Sequence, residues 1–251
     1  MYYQSIFRTF KVSRCAQPLV LKSWAQSFIA QDRVRCIPCF HTCISKQRNA
    51  VISHDKPQVG FVKKFLKRVG WLDHSKSRLK ISGYLLYESV ADKIPYMQFF
   101  REFHMADTFY SWFLITELHV WMLMVRTMAE GEEGRFTRNS IVEAMWQDTR
   151  ERSKKLDASN PSGLQRQLYE LSQQFQAAMI GYDEGLLSDD KVLAGAVWRR
   201  FFQRDCNDPE HIECLVHYIR KQVKHLDGLD REDILIRRKI TWLELPQKFD
   251  T

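Results

Sequence analysis

The chain has 251 residues, of which 45% are hydrophobic and 27% charged, and a formal net charge of +8. That balance fits one globular domain with an appendage, and six cysteines are too few for a disulfide scaffold. Residues 1–60 hold nine Lys/Arg against Asp32 and Asp55, so the basic excess sits there and the rest of the chain is close to neutral.

The N-terminal segment is rich in Arg, Lys and Ser, nearly free of acids, and has apolar residues scattered between the charges. This is the composition of a mitochondrial transit peptide; a disordered basic tail touching nucleic acid or anionic lipid is the other reading. A secretory signal is excluded because its best apolar run, "PLVLKSWAQSFIA", is interrupted by Lys22. Cys15, Cys36, Cys39 and Cys43 fall in this segment, and "CIPCFHTC" has soft ligands at loop spacing. In a presequence that motif is removed after import and no second ligand pair lies nearby, so no metal site is assigned to it. The expected organisation is a presequence and linker over 1–60, followed by a helical domain over 61–251.

From Phe61 onward the apolar spacing is helical. "FVKKFLKRVGWL" is amphipathic and basic, suited either to rest on anionic lipid or to cover a core with its charges in water. In "SRLKISGYLLYESVADK", Leu79, Gly83, Leu86 and Val90 share a stripe, and Gly83 there implies close packing or a bend. Pro95 starts a short helix.

"DTFYSWFLITELHVWMLMVR", residues 107–126, is the most apolar stretch. Its apolar core of fifteen residues reaches about 22 Å, short of the roughly 30 Å of a bilayer core, and Glu117 and His119 lie in its middle. It reads as the buried central helix of a bundle, capped by Asp107, with Glu117 and His119 paired to neighbours or reaching the rim. Those two point to different faces and form no acid–base pair on their own.

Further helices follow over 134–156, after Asn160-Pro161 and after Asp208-Pro209. Between the last two lies "GYDEGLLSDDKVLAGAVWRRFF". There Gly181 and Gly185 are read as turn positions and Ser188 as a cap, ahead of a helix bearing Val192, Leu193, Ala196, Val197 and Phe201. After Asp230, "ILIRRKITWLELP" reads as a short strand or an irregular extension against the bundle.

The acids Asp183, Glu184, Asp189 and Asp190 lack EF-hand spacing and suit capping and turn formation. Cys206, His211, Cys214 and His217 crowd one helix start, and a single helix cannot wrap four tetrahedral ligands, so they read as packing residues. No Walker loop, dinucleotide fingerprint, nucleophile elbow or zincin motif occurs, so no catalytic, metal or cofactor site is assigned and the protein is not read as an enzyme.

"DTFYSWFLITELHVWMLMVR" and "GYDEGLLSDDKVLAGAVWRRFF" together resemble the ubiquinol–cytochrome c chaperone family, with similarity from about Trp71 to Trp242. The resemblance implies an all-α fold: a single globular helical bundle with a short extended C-terminal segment and a disordered N-terminal presequence. It implies a non-catalytic assembly chaperone for mitochondrial respiratory complex III, with no cofactor. Its partners would be newly synthesised cytochrome b, a small partner chaperone and the mitochondrial ribosome, with no DNA among them. It places the protein at the matrix side of the inner membrane. With no run of about 20 apolar residues, attachment is expected to be peripheral.

Contact with client or partner is expected at Trp112, Trp121, Tyr182, Asp183, Glu184, Asp189, Asp190 and Trp198, since aromatic side chains anchor interfaces and a helical groove holds apolar segments. Basic groups at Arg199, Arg200, Arg204, Arg220, Lys221 and Lys224 either touch phosphates or are scattered solvated charge. The alternative class is an RNA- or ribosome-binding mitochondrial translation factor.

Overall fold

A helix that is apolar on every side is stable only when covered on every side, and α3 (Phe109–Met128) fixes the architecture for that reason. Every residue over 111–123 is buried. Around it lie α1 (His74–Lys93), α2 (Tyr96–Glu102), α4 (Gly131–Leu156), α5 (Pro161–Leu187), α6 (Asp190–Arg200) and α7 (Pro209–Asp227). A π-helical turn, Asp233–Arg237, follows. This computed structural model describes residues 74–156 and 161–245, all within one unit. The basic N-terminal segment, its cysteine motif and the amphipathic stretch over 61–72 lie outside the described residues. Those described are helical, with no strand among them, so the all-α expectation holds.

The helices pair as the sequence spacing requires. α1 and α4 form the most extensive contact, α3 and α4 make one hairpin, and α5 and α6 make another that leans on α7. Only Ala129 and Glu130 separate α3 from α4, and Gly131 takes the left-handed conformation (φ 65°) that this tight reversal needs. Arg126 locks the corner: its guanidinium pairs with Glu130 and donates to the carbonyls of Leu226 (3.0 Å) and Leu229 (2.6 Å), tying the end of α3 to the end of α7.

Several boundaries differ from the sequence expectation, each for a local reason. The cap of α3 is Thr108, not Asp107: Thr108 has the extended backbone of a cap (φ −132°, ψ 159°), and its side chain accepts from the Ser111 N–H. Gly181 and Gly185 are not turn residues. α5 runs straight through them to Leu187; the missing side chain of Gly185 lets α6 approach, with the Leu193 Cα only 2.7 Å from where a Cβ would sit, whereas a Cβ at Gly181 would make only ordinary contact with Ala196 at 3.8 Å. Asp189, not Ser188, caps α6 by accepting from the Val192 N–H at 3.0 Å. Asp208 caps α7 as expected, accepting from the Glu210 N–H at 2.9 Å.

Of the two readings of the C-terminus, the irregular extension is the one observed. The π-helical turn buries Ile234 and Leu235, and Arg238 then reverses the chain in the left-handed region (φ 55°). Residues 238–245 run over the bundle held by side chains rather than by a strand ladder. Trp242 Nε1 donates to the Ser89 carbonyl (3.2 Å), and the Leu243 N–H donates to Gln222 Oε1 (2.9 Å).

Candidate functional site

Polar side chains on an otherwise apolar helix must find partners inside the bundle, and Glu117 and His119 in the middle of α3 do so in opposite directions. Glu117 is wholly buried, and Arg200 from the end of α6 meets it with a two-pronged ion pair, Nε to Oε1 at 2.7 Å and Nη2 to Oε2 at 2.6 Å. The remaining guanidinium nitrogen donates to Tyr110 Oη (3.0 Å) and Gln174 Oε1 (2.9 Å), and the Tyr110 hydroxyl donates to the same Gln174 oxygen (3.0 Å). Burial pushes the Glu117 carboxyl up while Arg200 pulls it back, and Glu117 in turn holds Arg200 protonated.

One turn further along α3, Trp121 Nε1 donates to Asp183 Oδ1 at 2.8 Å, and the indole packs on the Tyr182 ring with centroids 5.1 Å apart. The Tyr182 hydroxyl is buried without a hydrogen-bond partner, and the charges of Glu117 and Arg200 act on it. Burial pushes the Asp183 carboxyl up, and the Trp121 bond offsets this. α3 is thus tied to α5 and α6 by the Glu117–Arg200–Gln174 network, and separately to α5 by the Trp121–Asp183 bond and the packing of Trp121 on Tyr182.

His119 points the other way, toward α7. Its Nδ1–H donates to the Ile115 carbonyl (2.7 Å) and its Nε2 accepts from the Tyr218 hydroxyl (2.8 Å), with Phe99 and Trp242 edge-on to the ring. Burial lowers its pKa to about 4 against the backbone bond that raises it, so the ring is neutral. The unfolded chain takes up this proton near pH 6.5 and the folded chain only near pH 4. Stability from this residue is therefore complete above pH 6.5 and falls as pH drops toward 4, by about 3 kcal/mol at 1.36 kcal/mol per unit. Denaturant titrations of wild type and His119→Leu are expected to converge by that amount between pH 7 and pH 4; parallel curves would show that His119 is not the proton acceptor.

The other expected contact residues divide between interior and surface. Trp112 is buried, with the Arg152 guanidinium 4.5 Å from its ring centre. Glu184 faces solvent on α5, Asp189 is the α6 cap, and Asp190 pairs with Arg220 at 3.0 Å. Trp198 is 36% exposed, its Nε1 donating to the Cys206 carbonyl at 3.2 Å.

Of the basic groups, Arg200 is consumed by Glu117. Arg220 closes the end of α5 by donating to the carbonyls of Leu186 (2.7 Å), Gly185 (3.1 Å) and Ser188 (2.9 Å). Arg199, Arg204, Lys221 and Lys224 remain exposed. The Cys206 thiol bonds the Asp208 carbonyl, and the His211 ring packs edge-on against Phe103. Among the described residues, no three His, Cys, Asp or Glu side chains converge as metal ligands.

One surface feature was missed from sequence. Tyr169, Ile180 and Leu187 stand 63%, 53% and 63% exposed along the outer face of α5. Their spacing of eleven and seven residues puts them on one line, with Gln173 and Ala177 between. Arg166 and Glu170 pair with each other at its start, and the exposed Glu184 lies between Ile180 and Leu187 on the same side. The signal was a second apolar row on α5, overshadowed by the stronger core row through Leu164, Leu171, Phe175 and Met179.

Residues 101–242 match the family model described as Ubiquinol-cytochrome C chaperone. The chain is 47% identical to the ubiquinol-cytochrome c reductase complex assembly factor 1 of Drosophila melanogaster, over 94% of this chain and 97% of the relative. It is 41% identical to the protein of that name in Homo sapiens, over 80% of this chain and 70% of the relative. Protein CBP3, mitochondrial, of Saccharomyces cerevisiae is 35% identical over 53% of this chain and 41% of the yeast protein. The crystal structure of the Cbp3 homolog from Brucella abortus overlays with a TM-score of 0.58, covering 74% of this chain and 99% of that one; at 17% identity this likeness concerns the fold alone. No helix among the described residues is long and apolar enough to cross a membrane.

Proposed function

Because this chain belongs to the ubiquinol–cytochrome c chaperone family, whose relatives are named as complex III assembly factors, we propose that it is an assembly chaperone for mitochondrial respiratory complex III. It acts without catalysis. It receives newly synthesised cytochrome b together with a small partner chaperone, close to the mitochondrial ribosome, at the matrix side of the inner membrane and attached peripherally. The basic, acid-poor N-terminus serves as its transit peptide.

The observation that carries this reading is the match over most of the chain, joined to a surface suited to holding apolar segments. An amphipathic helix docks through side chains at helical spacing, and the row Tyr169, Ile180 and Leu187 offers such anchors. The acidic Glu184 lies within it, and Asp189, Asp190 and Trp198 follow it in sequence. Trp112, Trp121, Tyr182 and Asp183 contribute from within, by fixing the helices that present this surface.

The test is affinity capture from gently solubilised mitochondria after pulse labelling of organelle-encoded proteins. Labelled cytochrome b is expected to co-purify with a small helical protein, and Ile180→Glu/Leu187→Glu to lose most of it while retaining the wild-type melting temperature. Ribosomes recovered without cytochrome b would instead indicate a translation factor, and undiminished capture by the double variant would move the client surface elsewhere.

A further inference from the structure

The π-helical turn carries an unusual side-chain sequence for a surface: Ile236 is 48% exposed and is followed by Arg237, Arg238 and Lys239. Its posture is fixed from below. Ile234 and Leu235 are buried, the Leu235 carbonyl accepts from Ser82 Oγ of α1 at 2.6 Å, and the Lys239 N–H closes back on the Asp233 carbonyl at 2.8 Å. With two neighbours pinned inward, Ile236 has nowhere to turn but out.

The local carboxylates are spent on one of the three bases. Arg237 takes both Glu232 and Asp233, at 3.2 Å each. Arg238 and Lys239 have no such counter-charge among the described residues, and Lys93 stands beside them, its ammonium 3.5 Å from the Ile240 carbonyl. Burial pushes the carboxyl of Asp92, next to Lys93, up while Arg152 and Lys93 both pull it down, so Asp92 offsets part of the Lys93 charge and none is recruited from Arg238 or Lys239. Arg78 adds an exposed cation one turn before Ser82, on the face of α1 that meets the turn.

An exposed aliphatic tip on a rigid knuckle, rimmed by cations, matches the boundary of an anionic bilayer: the aliphatic side chain enters the acyl edge while Lys and Arg meet phosphates. The geometry points to residues 236–239, with Arg78 and Lys93, as the contact of this protein with an anionic lipid surface. RNA would use the cations but gains nothing from a projecting isoleucine, so lipid is the occupant that accounts for both features. This inference rests on the reading that the protein works at the inner membrane, and it assigns the residues that hold it there.

The test is flotation of the full chain with phosphatidylcholine vesicles containing about a fifth cardiolipin, against pure phosphatidylcholine, at low and high salt. Wild type is expected to float with the anionic vesicles, less so as salt rises. Ile236→Asn/Arg238→Glu/Lys239→Glu should reduce binding by about tenfold or more, whereas Lys154→Glu/Lys155→Glu, which also reverses two exposed charges but at the end of α4, should change it little. Because the triple variant alters a structured turn, Ile236→Trp supplies an opposite arm: it keeps the charges and should bind more tightly.

Equal flotation of triple variant and wild type would overturn the assignment, as would a triple variant that loses only sedimentation with ribosomal RNA. Capture of labelled cytochrome b in detergent separates this from the chaperone reading. A variant that captures client but no longer floats supports the lipid contact, and a wild type that floats yet captures no client leaves the lipid contact standing while the chaperone reading fails.

Discussion

Replacing Glu117 by Ala is expected to cost the fold about 3–5 kcal/mol, which would consume much of the stability of an ordinary domain. The reason is the group left behind. Arg200 sits with its side chain 12% exposed, and without the carboxylate it keeps only Tyr110 and Gln174 as partners for a buried charge. Removing both ends of the pair should be far milder. Glu117→Leu/Arg200→Met takes away the desolvated charges together and fills the space with apolar atoms, so it is expected to recover most of the loss. Urea denaturation of the two single variants and the double variant measures the coupling directly. Additive losses would show that the pair does not act as a unit.

The same pair marks how far sequence reading extends. That Glu117 would either be paired inside or reach the rim followed from its place on a helix apolar all round, and the first holds. That its partner is Arg200 did not follow, because the two are 83 residues apart and meet only once α6 folds back along α5. Arg199 and Arg200 are equivalent by composition. One faces water and the other the core, since adjacent helical positions differ by about 100° and only the position of α6 decides which turns inward. A basic residue read as surface charge therefore became the main electrostatic tie of the interior. Arg220 was likewise taken for surface charge, but it caps a neighbouring helix whose end sequence reading had left inside a loop.

The starts of α3 and α6 were legible to one residue, whereas the end of α5 was missed by several. At Asp107-Thr108 and Ser188-Asp189, two capping residue types stand side by side, and composition cannot choose between them. The choice falls on the residue whose side-chain oxygen reaches back to the N–H three positions on. The C-terminal segment was ambiguous for a different reason. Its alternating apolar residues suit a strand, but the bundle offers no edge to pair with, so its backbone is satisfied by Ser82, Gln222 and other side chains that no local pattern announces.

Glycine gave both the clearest success and the clearest error, and Gly83 yields the second large effect. In the helix interior a glycine costs about 1 kcal/mol relative to alanine, so its presence at position 83 implied that a neighbour comes close. α4 does: a Cβ added at Gly83 would lie 2.8 Å from the Thr137 carbonyl oxygen and closer still to the Ser140 side chain. Gly185 is used the same way against α6, yet beside acids and a serine it and Gly181 resembled turn punctuation, and local propensity outweighed the helical period. Gly83→Ala is therefore expected to destabilise by about 1–3 kcal/mol despite its better helix propensity, because backbone on the facing helix has to move. Gly83→Leu should exceed that range and leave the α1–α4 contact unformed, with the melting temperature and the protease resistance of α1 falling together. An alanine variant as stable as wild type would mean that α4 yields without cost, and that the glycine serves flexibility rather than approach.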